Sequence, residues 1–165
     1  MTKSLTRSGL TAALSLALLF AACALPSAKI SLIAVSGVLL SFLRISCGLR
    51  WAAGCFAAVT LLAAFVLPQK LMGILYALFF GYYPFVKPTL ERAKSPVLRW
   101  MLKLLIFWAA LSAACFLASA VMTAEPLTSA LIIPMFLGGT IVFVIYDFAL
   151  TRLILYYLRH LAGKL

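Results

Sequence analysis

Residues 76–103, YALFFGYYPFVKPTLERAKSPVLRWMLK, separate two long apolar blocks and contain the densest group of basic residues in the chain. The stretch has three prolines, a single acid and five basic residues: Lys87, Arg92, Lys94, Arg99 and Lys103. Short loops rich in lysine and arginine stay on the cytoplasmic side of a membrane. The stretch therefore predicts a cytoplasmic loop that divides the protein into two groups of membrane-spanning segments.

Composition places the chain among integral membrane proteins. Of its 165 residues, 66% are hydrophobic and 10% are charged, and the mean hydropathy is +1.18, far from the values of soluble domains. Six apolar segments have roughly the length that crosses a bilayer as a helix, and they are too long and too uniform for barrel strands. The sequence predicts an all-α fold, a compact six-transmembrane-helix bundle that forms one domain over 1–165. Its predicted spans are 9–25, 29–46, 50–67, 70–86, 97–122 and 128–150, followed by a cytoplasmic helical tail at 151–165.

The distribution of basic residues predicts the orientation of the chain. With the N-terminus inside, all lysines and arginines except Lys29 and Lys70 fall on the cytoplasmic side, and one missed or extra span would remove this asymmetry. We therefore predict cytoplasmic N- and C-termini and a location in a bacterial cytoplasmic (inner) membrane. The net charge of +11 does not indicate a nucleic-acid partner, because the charges sit between hydrophobic spans.

Small residues recur every four positions along the first predicted helix, at Gly9, Ala13, Ala17 and Ala21. This spacing places them on one helix face, where another helix can approach closely in lipid. The face could pack inside the bundle or dock a partner protein. The same segment shares a basic start and small residues near Cys23 with cleaved signals, but another hydrophobic span follows at once, so we expect it to be retained.

The sequence lacks the motifs of common catalytic and metal sites. Walker A, GxSxG, paired-histidine zinc and paired-carboxylate patterns are absent, and the chain has one histidine and three acids. We predict no enzyme activity, no catalytic residues, no cofactor and no metal.

Asp147 is the acid that falls within a predicted span. Acids inside a membrane are candidates for functional sites or for ion pairs. We expect an ion pair with Arg50, with Arg44, Lys103 and Arg152 as further partners at that depth. A proton or sodium site at Asp147 is the alternative.

Polar residues near the predicted outer turns are the candidates for a solute pocket. The chain has no asparagine and a single glutamine, so any pocket must be mostly apolar and aromatic. The candidates are Lys29, Gln69, Lys70, Tyr76, Thr123 and Glu125.

Several stretches of this chain resemble the substrate-binding S components of energy-coupling factor transporters. They are the alanine-stepped first helix, the Leu25-Pro26 outer turn, YALFFGYYPFVKPTLE at 76–91, and Tyr146-Asp147-x-x-Leu150-Thr151. The resemblance covers nearly the whole length. It implies that Ala13 and Ala17 dock to a transmembrane T component, which couples to two cytoplasmic ATPase subunits, and that a small-molecule solute occupies an outward cavity. The vitamin-binding motifs of the family are not visible, so the resemblance implies no particular ligand.

Two other functions stay open at this point. The chain could be a non-transporting membrane scaffold or envelope-assembly protein, whose partner would be another helical bundle or an envelope enzyme. It could also be a small proton-coupled exporter, an alternative that depends on Asp147 alone.

Overall fold

The computed structural model describes residues 2–25, 27–91, 95–122 and 129–160, which form helices joined by short turns. The helices are α1 (Thr2–Ala24), α2 (Lys29–Cys47), α3 (Leu49–Val66), α4 (Lys70–Leu75), a π-helix (Tyr76–Gly81), α5 (Tyr83–Leu90), α6 (Pro96–Met122) and α7 (Ser129–His160). Over these residues the all-α prediction is confirmed.

Five of the described helices are long and apolar enough to cross a membrane, namely α1, α2, α3, α6 and α7. Their outward faces carry large apolar side chains: Phe65, Leu105 and Ile141 are exposed by 82%, 64% and 62%. Apolar side chains on the outside of a helix can contact lipid. The polar backbone groups are hydrogen-bonded within the helix and therefore do not need water.

The fourth predicted span, 70–86, is not one continuous α-helix, and in this respect the prediction is wrong. It consists of α4, the π-helix and α5 in succession. Pro84 has no N–H for the carbonyl of Phe80, and Pro88 has none for the carbonyl of Pro84. These two α-helical hydrogen bonds are therefore missing around α5, and the π-helix at Tyr76–Gly81 interrupts the α-helical pattern just before it.

The core lies on both sides of this broken fourth segment. The segment packs against α2 on one side and against α6 on the other. It also contacts α3, most closely at Gly81, where an added Cβ would lie 2.6 Å from the ring of Phe56. Fully buried side chains around the segment include Ile33, Leu40, Val59, Tyr76 and Leu150.

Candidate functional site

A buried network of charged and polar side chains joins α5, α6 and α7. Asp147 of α7 accepts hydrogen bonds at Oδ1 from the Tyr83 hydroxyl, at 2.6 Å, and from Lys87. Its Oδ2 accepts from Lys103 of α6 at 2.7 Å. Lys87 also donates to Thr151 Oγ1 at 2.7 Å. Asp147, Lys87 and Lys103 are all buried, so both carboxylate oxygens are engaged away from solvent.

Glu91 completes the charge balance of this network from the surface. Its Oε1 lies 3.5 Å from Lys87 Nζ and 3.6 Å from Lys103 Nζ, and its side chain is 41% exposed. Together with Asp147, the two carboxylates balance the two ammonium groups. Charges within a membrane protein are tolerated when they are paired in this way. The network therefore links α5, α6 and α7 without leaving a net internal charge.

The predicted pairing of Asp147 with Arg50 is wrong. Arg50 is exposed in the first turn of α3, whereas Asp147 pairs with Lys87 and with Lys103, one of the further partners considered. The physical reason is the break in the fourth segment. A helix that restarts at Tyr83 carries Lys87 into the interior, although the sequence placed Lys87 in a loop.

Arg44, another partner considered for Asp147, instead holds α5 in place. It donates to the carbonyl of Pro84 and, at 3.4 Å, to that of Phe85. Its guanidinium also lies 5.9 Å from the centre of the Phe85 ring. Because Pro88 cannot donate to the Pro84 carbonyl, Arg44 supplies a donor in place of the missing N–H.

We expect Arg44→Ala to lower the free energy of unfolding by about 1.5 kcal/mol, the lower end for hydrogen bonds from a charged donor. Pro88→Ala restores an N–H within reach of the same carbonyl. The loss from Arg44→Ala should therefore be smaller in the Pro88→Ala background, as measured by denaturant titration of the four proteins of this cycle in mixed micelles. Equal losses in both backgrounds would contradict this role of Arg44.

An apolar cavity of about 520 Å³ lies beside the network, between the fourth segment, α6 and α7. Aromatic rings form much of its lining. Phe107 stacks on Phe143 with centroids 4.7 Å apart, and Phe80 meets Tyr146 edge-on at 4.8 Å. The remaining lining is aliphatic or small and includes Leu71, Leu75, Leu111, Cys115, Gly138 and Gly139.

Tyr83 separates the cavity from the charged network. Its ring lines the cavity and meets Phe143 edge-on at 5.2 Å. Its hydroxyl points the other way and donates to Asp147, while Lys87 Nζ lies 5.7 Å from the ring centre. Tyr83 therefore belongs both to the cavity wall and to the charged network, and its ring lies between the cavity and the charged side chains.

The four described residues predicted for a solute pocket, Lys29, Gln69, Lys70 and Tyr76, do not line this cavity. Lys29 donates to Gln69 Oε1 at 3.3 Å, and Lys70 donates to the carbonyl of Ala64 at 2.6 Å, so these side chains tie the helix ends together. Tyr76 is fully buried in the core. Two further candidates, Thr123 and Glu125, lie outside the described residues. The expectation that a pocket would be mostly apolar and aromatic agrees with the cavity.

The small-residue stripe of α1 faces outward. Gly9, Ala13 and Ala17 are exposed and Ala21 is half-buried, whereas α1 packs inward through Ser8, Ser15, Leu19 and Ala22. Packing inside the bundle therefore does not explain the stripe. Docking to a partner stays a prediction.

These helices and their apolar outward faces define a polytopic α-helical membrane protein. Comparison with known proteins gives no further assignment: no family model, no curated protein and no solved structure matches the chain.

Proposed function

We propose that the protein is the solute-binding membrane subunit of an importer of the energy-coupling factor type and binds a small, largely apolar or aromatic solute. The observation that carries this proposal is the apolar cavity of about 520 Å³. Sites for small molecules usually measure about 300–1,000 Å³ and are lined mainly by apolar and aromatic side chains. A cavity of this size favours solute binding over a solid scaffold bundle.

The source of energy in this proposal is a partner. The sequence has no Walker A motif, so ATP hydrolysis would come from cytoplasmic ATPase subunits coupled through a transmembrane T component. The outward stripe of α1 supports such a partner, because small exposed residues allow a second helix to pack closely in lipid. Ala13 and Ala17 are the proposed docking residues.

The contacts of Asp147 do not favour the alternative of a proton-coupled exporter. A carboxylate that carries protons has to exchange them with water, but both oxygens of Asp147 accept hydrogen bonds from buried partners. Its contacts favour a structural role.

The docking surface is tested by Ala17→Trp, which places a large ring on the stripe without filling the bundle. We expect at least about tenfold less T component and ATPase to co-purify from native membranes in mild detergent, equivalent to about 1.4 kcal/mol of binding free energy. Quantitative mass spectrometry of the purified complex measures the loss.

Ala109→Trp is the matched control for this substitution. Ala109 is an exposed alanine of α6, which belongs to a different part of the outer surface, so the control should co-purify normally. Undiminished association of Ala17→Trp, an equal loss with Ala109→Trp, or a wild-type complex without ATPase subunits would each contradict the proposal.

A further inference from the structure

The described residues that line the cavity present almost no hydrogen-bonding groups to its contents. The Tyr83 hydroxyl is directed to Asp147. The Tyr146 hydroxyl lies only 2.7 Å from the position that a Cβ would take at Gly37 of α2, so it points toward that helix. Moving a polar group from water into such a lining without a hydrogen-bond partner is unfavourable, and moving a charged group is far more so. The lining therefore selects against hydrophilic solutes.

The cavity reaches the outer surface of α7 at Gly138. This glycine lines the cavity and is itself exposed, and among the described residues no atom lies within 4 Å of the position of an added Cβ. Its neighbours Leu137 and Ile141 are exposed by 64% and 62%. Apolar side chains on the outer face of a spanning helix contact hydrocarbon, so this opening faces the membrane interior.

The walls of the cavity favour a flat molecule. The Phe107–Phe143 stack and the edge-on contacts of Phe80 with Tyr146 and of Tyr83 with Phe143 fix the rings relative to one another. Stacked or edge-on pairing stabilises aromatic rings beyond the effect of the apolar area that they bury. A planar aromatic ligand can join this arrangement without reordering it.

We propose that the cavity binds a neutral, planar aromatic lipophile that dissolves in the bilayer and enters beside Gly138. This inference rests on the proposed function, whose substrate class it names. It assigns Tyr83 as the wall that keeps the ligand from the buried charges, and Gly138 as the residue whose missing side chain keeps the opening free.

The test uses two fluorescent probes with the same aromatic body. N-phenyl-1-naphthylamine is neutral, and 1-anilinonaphthalene-8-sulfonate carries an added sulfonate. The full chain in lipid nanodiscs is treated with N-ethylmaleimide, and alkylation of Cys115, a free thiol in the cavity lining, is followed by mass spectrometry. At ten times its dissociation constant the neutral probe should slow this reaction about tenfold, because only the unoccupied fraction reacts. The sulfonate should give little protection.

The other thiols and two variants control for binding to lipid alone. Cys23 and Cys47 are half-buried and do not line the cavity, so their alkylation should not change. Gly138→Trp should abolish saturable binding of the neutral probe by filling the opening, while Leu137→Trp, an exposed neighbour, should preserve it. Saturable energy transfer from tryptophan to the neutral probe in the wild-type chain gives a second measure of occupancy that does not depend on thiol reactivity.

Equal protection by both probes, equal protection of all thiols, or absence of both protection and saturable transfer would overturn the inference. These outcomes are separate from the co-purification test. If the complex with ATPase subunits forms but the probe does not bind, the importer proposal stands and the proposed ligand class is wrong. If the probe binds specifically but no such complex forms, the proposed binding site stands and the importer proposal is wrong.

Discussion

Asp147→Asn is expected to lower the free energy of unfolding by about 3–5 kcal/mol, the range found when one partner of a buried ion pair is removed. The asparagine keeps the shape of the side chain but leaves Lys87 and Lys103, both buried, without their shared carboxylate. Titration with a denaturing detergent in mixed micelles measures the loss. A proton-carrying role for Asp147 predicts the opposite pattern, in which the bundle stays intact and only transport is lost.

Glu91→Gln is the matched control, because it removes the other carboxylate that contacts the same two lysines. Glu91 is 41% exposed and lies 3.5 and 3.6 Å from their Nζ atoms, so its loss should change stability by less than about 1 kcal/mol. Removing the buried charges together, in Lys87→Met/Lys103→Met/Asp147→Leu with Tyr83→Phe, should recover most of the stability. Similar losses for Asp147→Asn and Glu91→Gln would show that burial of the network does not determine its contribution.

The long helices could be predicted from the sequence because the length and hydropathy of a span are local properties. The second predicted span, 29–46, corresponds to α2 at Lys29–Cys47, and the fifth, 97–122, corresponds to α6 at Pro96–Met122. In both cases polar or turn-forming residues flank an apolar run long enough for the hydrocarbon. Neither boundary depends on how the helices pack.

The pairing of Asp147 with Lys103 was among the sequence-based possibilities, but Lys87 and Glu91 were missed because they lie in a stretch that was interpreted as a loop. Tyr83, Lys87 and Glu91 recur every four residues, which places them on one face if the chain is helical. Asp147 and Thr151 have the same spacing. Prolines at 84 and 88 favoured a loop, although proline is tolerated in the first turn of a helix and Arg44 supplies a donor in place of the missing N–H of Pro88. A helical interpretation of 83–90 would have made Lys87 a partner for Asp147.

The cavity was beyond sequence reasoning for a different reason. Its apolar character followed from the composition, but its position depends on how α6 and α7 pack around the fourth segment. Phe107 and Phe143 look like ordinary lipid-facing or core residues in the sequence. Only the packed structure shows that their rings meet at 4.7 Å and line a space.

Gly37→Leu should lower the free energy of unfolding by about 3 kcal/mol or more, the upper range for overpacking a core. Gly37 is buried where α2 crosses the π-helix and α7. An added Cβ would lie in contact with the Phe80 carbonyl oxygen, 3.0 Å from its carbon and 2.7 Å from the Tyr146 hydroxyl. The carbonyl is part of the backbone and cannot rotate away, so the π-helix itself would have to move. Denaturing-detergent titration measures the loss.

Gly54→Leu provides the same chemical change without the collision. Gly54 is exposed on α3, and no atom of the residues that the structure describes lies within 4 Å of an added Cβ. Leucine has a higher helix propensity than glycine, so this variant should be unchanged or more stable by up to about 1 kcal/mol. Since Phe80 and Tyr146 also line the cavity, Gly37→Leu should weaken binding of the neutral probe as well, while Gly54→Leu should not. If both variants had the same stability, the close approach of α2 to the π-helix could not be what requires a glycine at position 37.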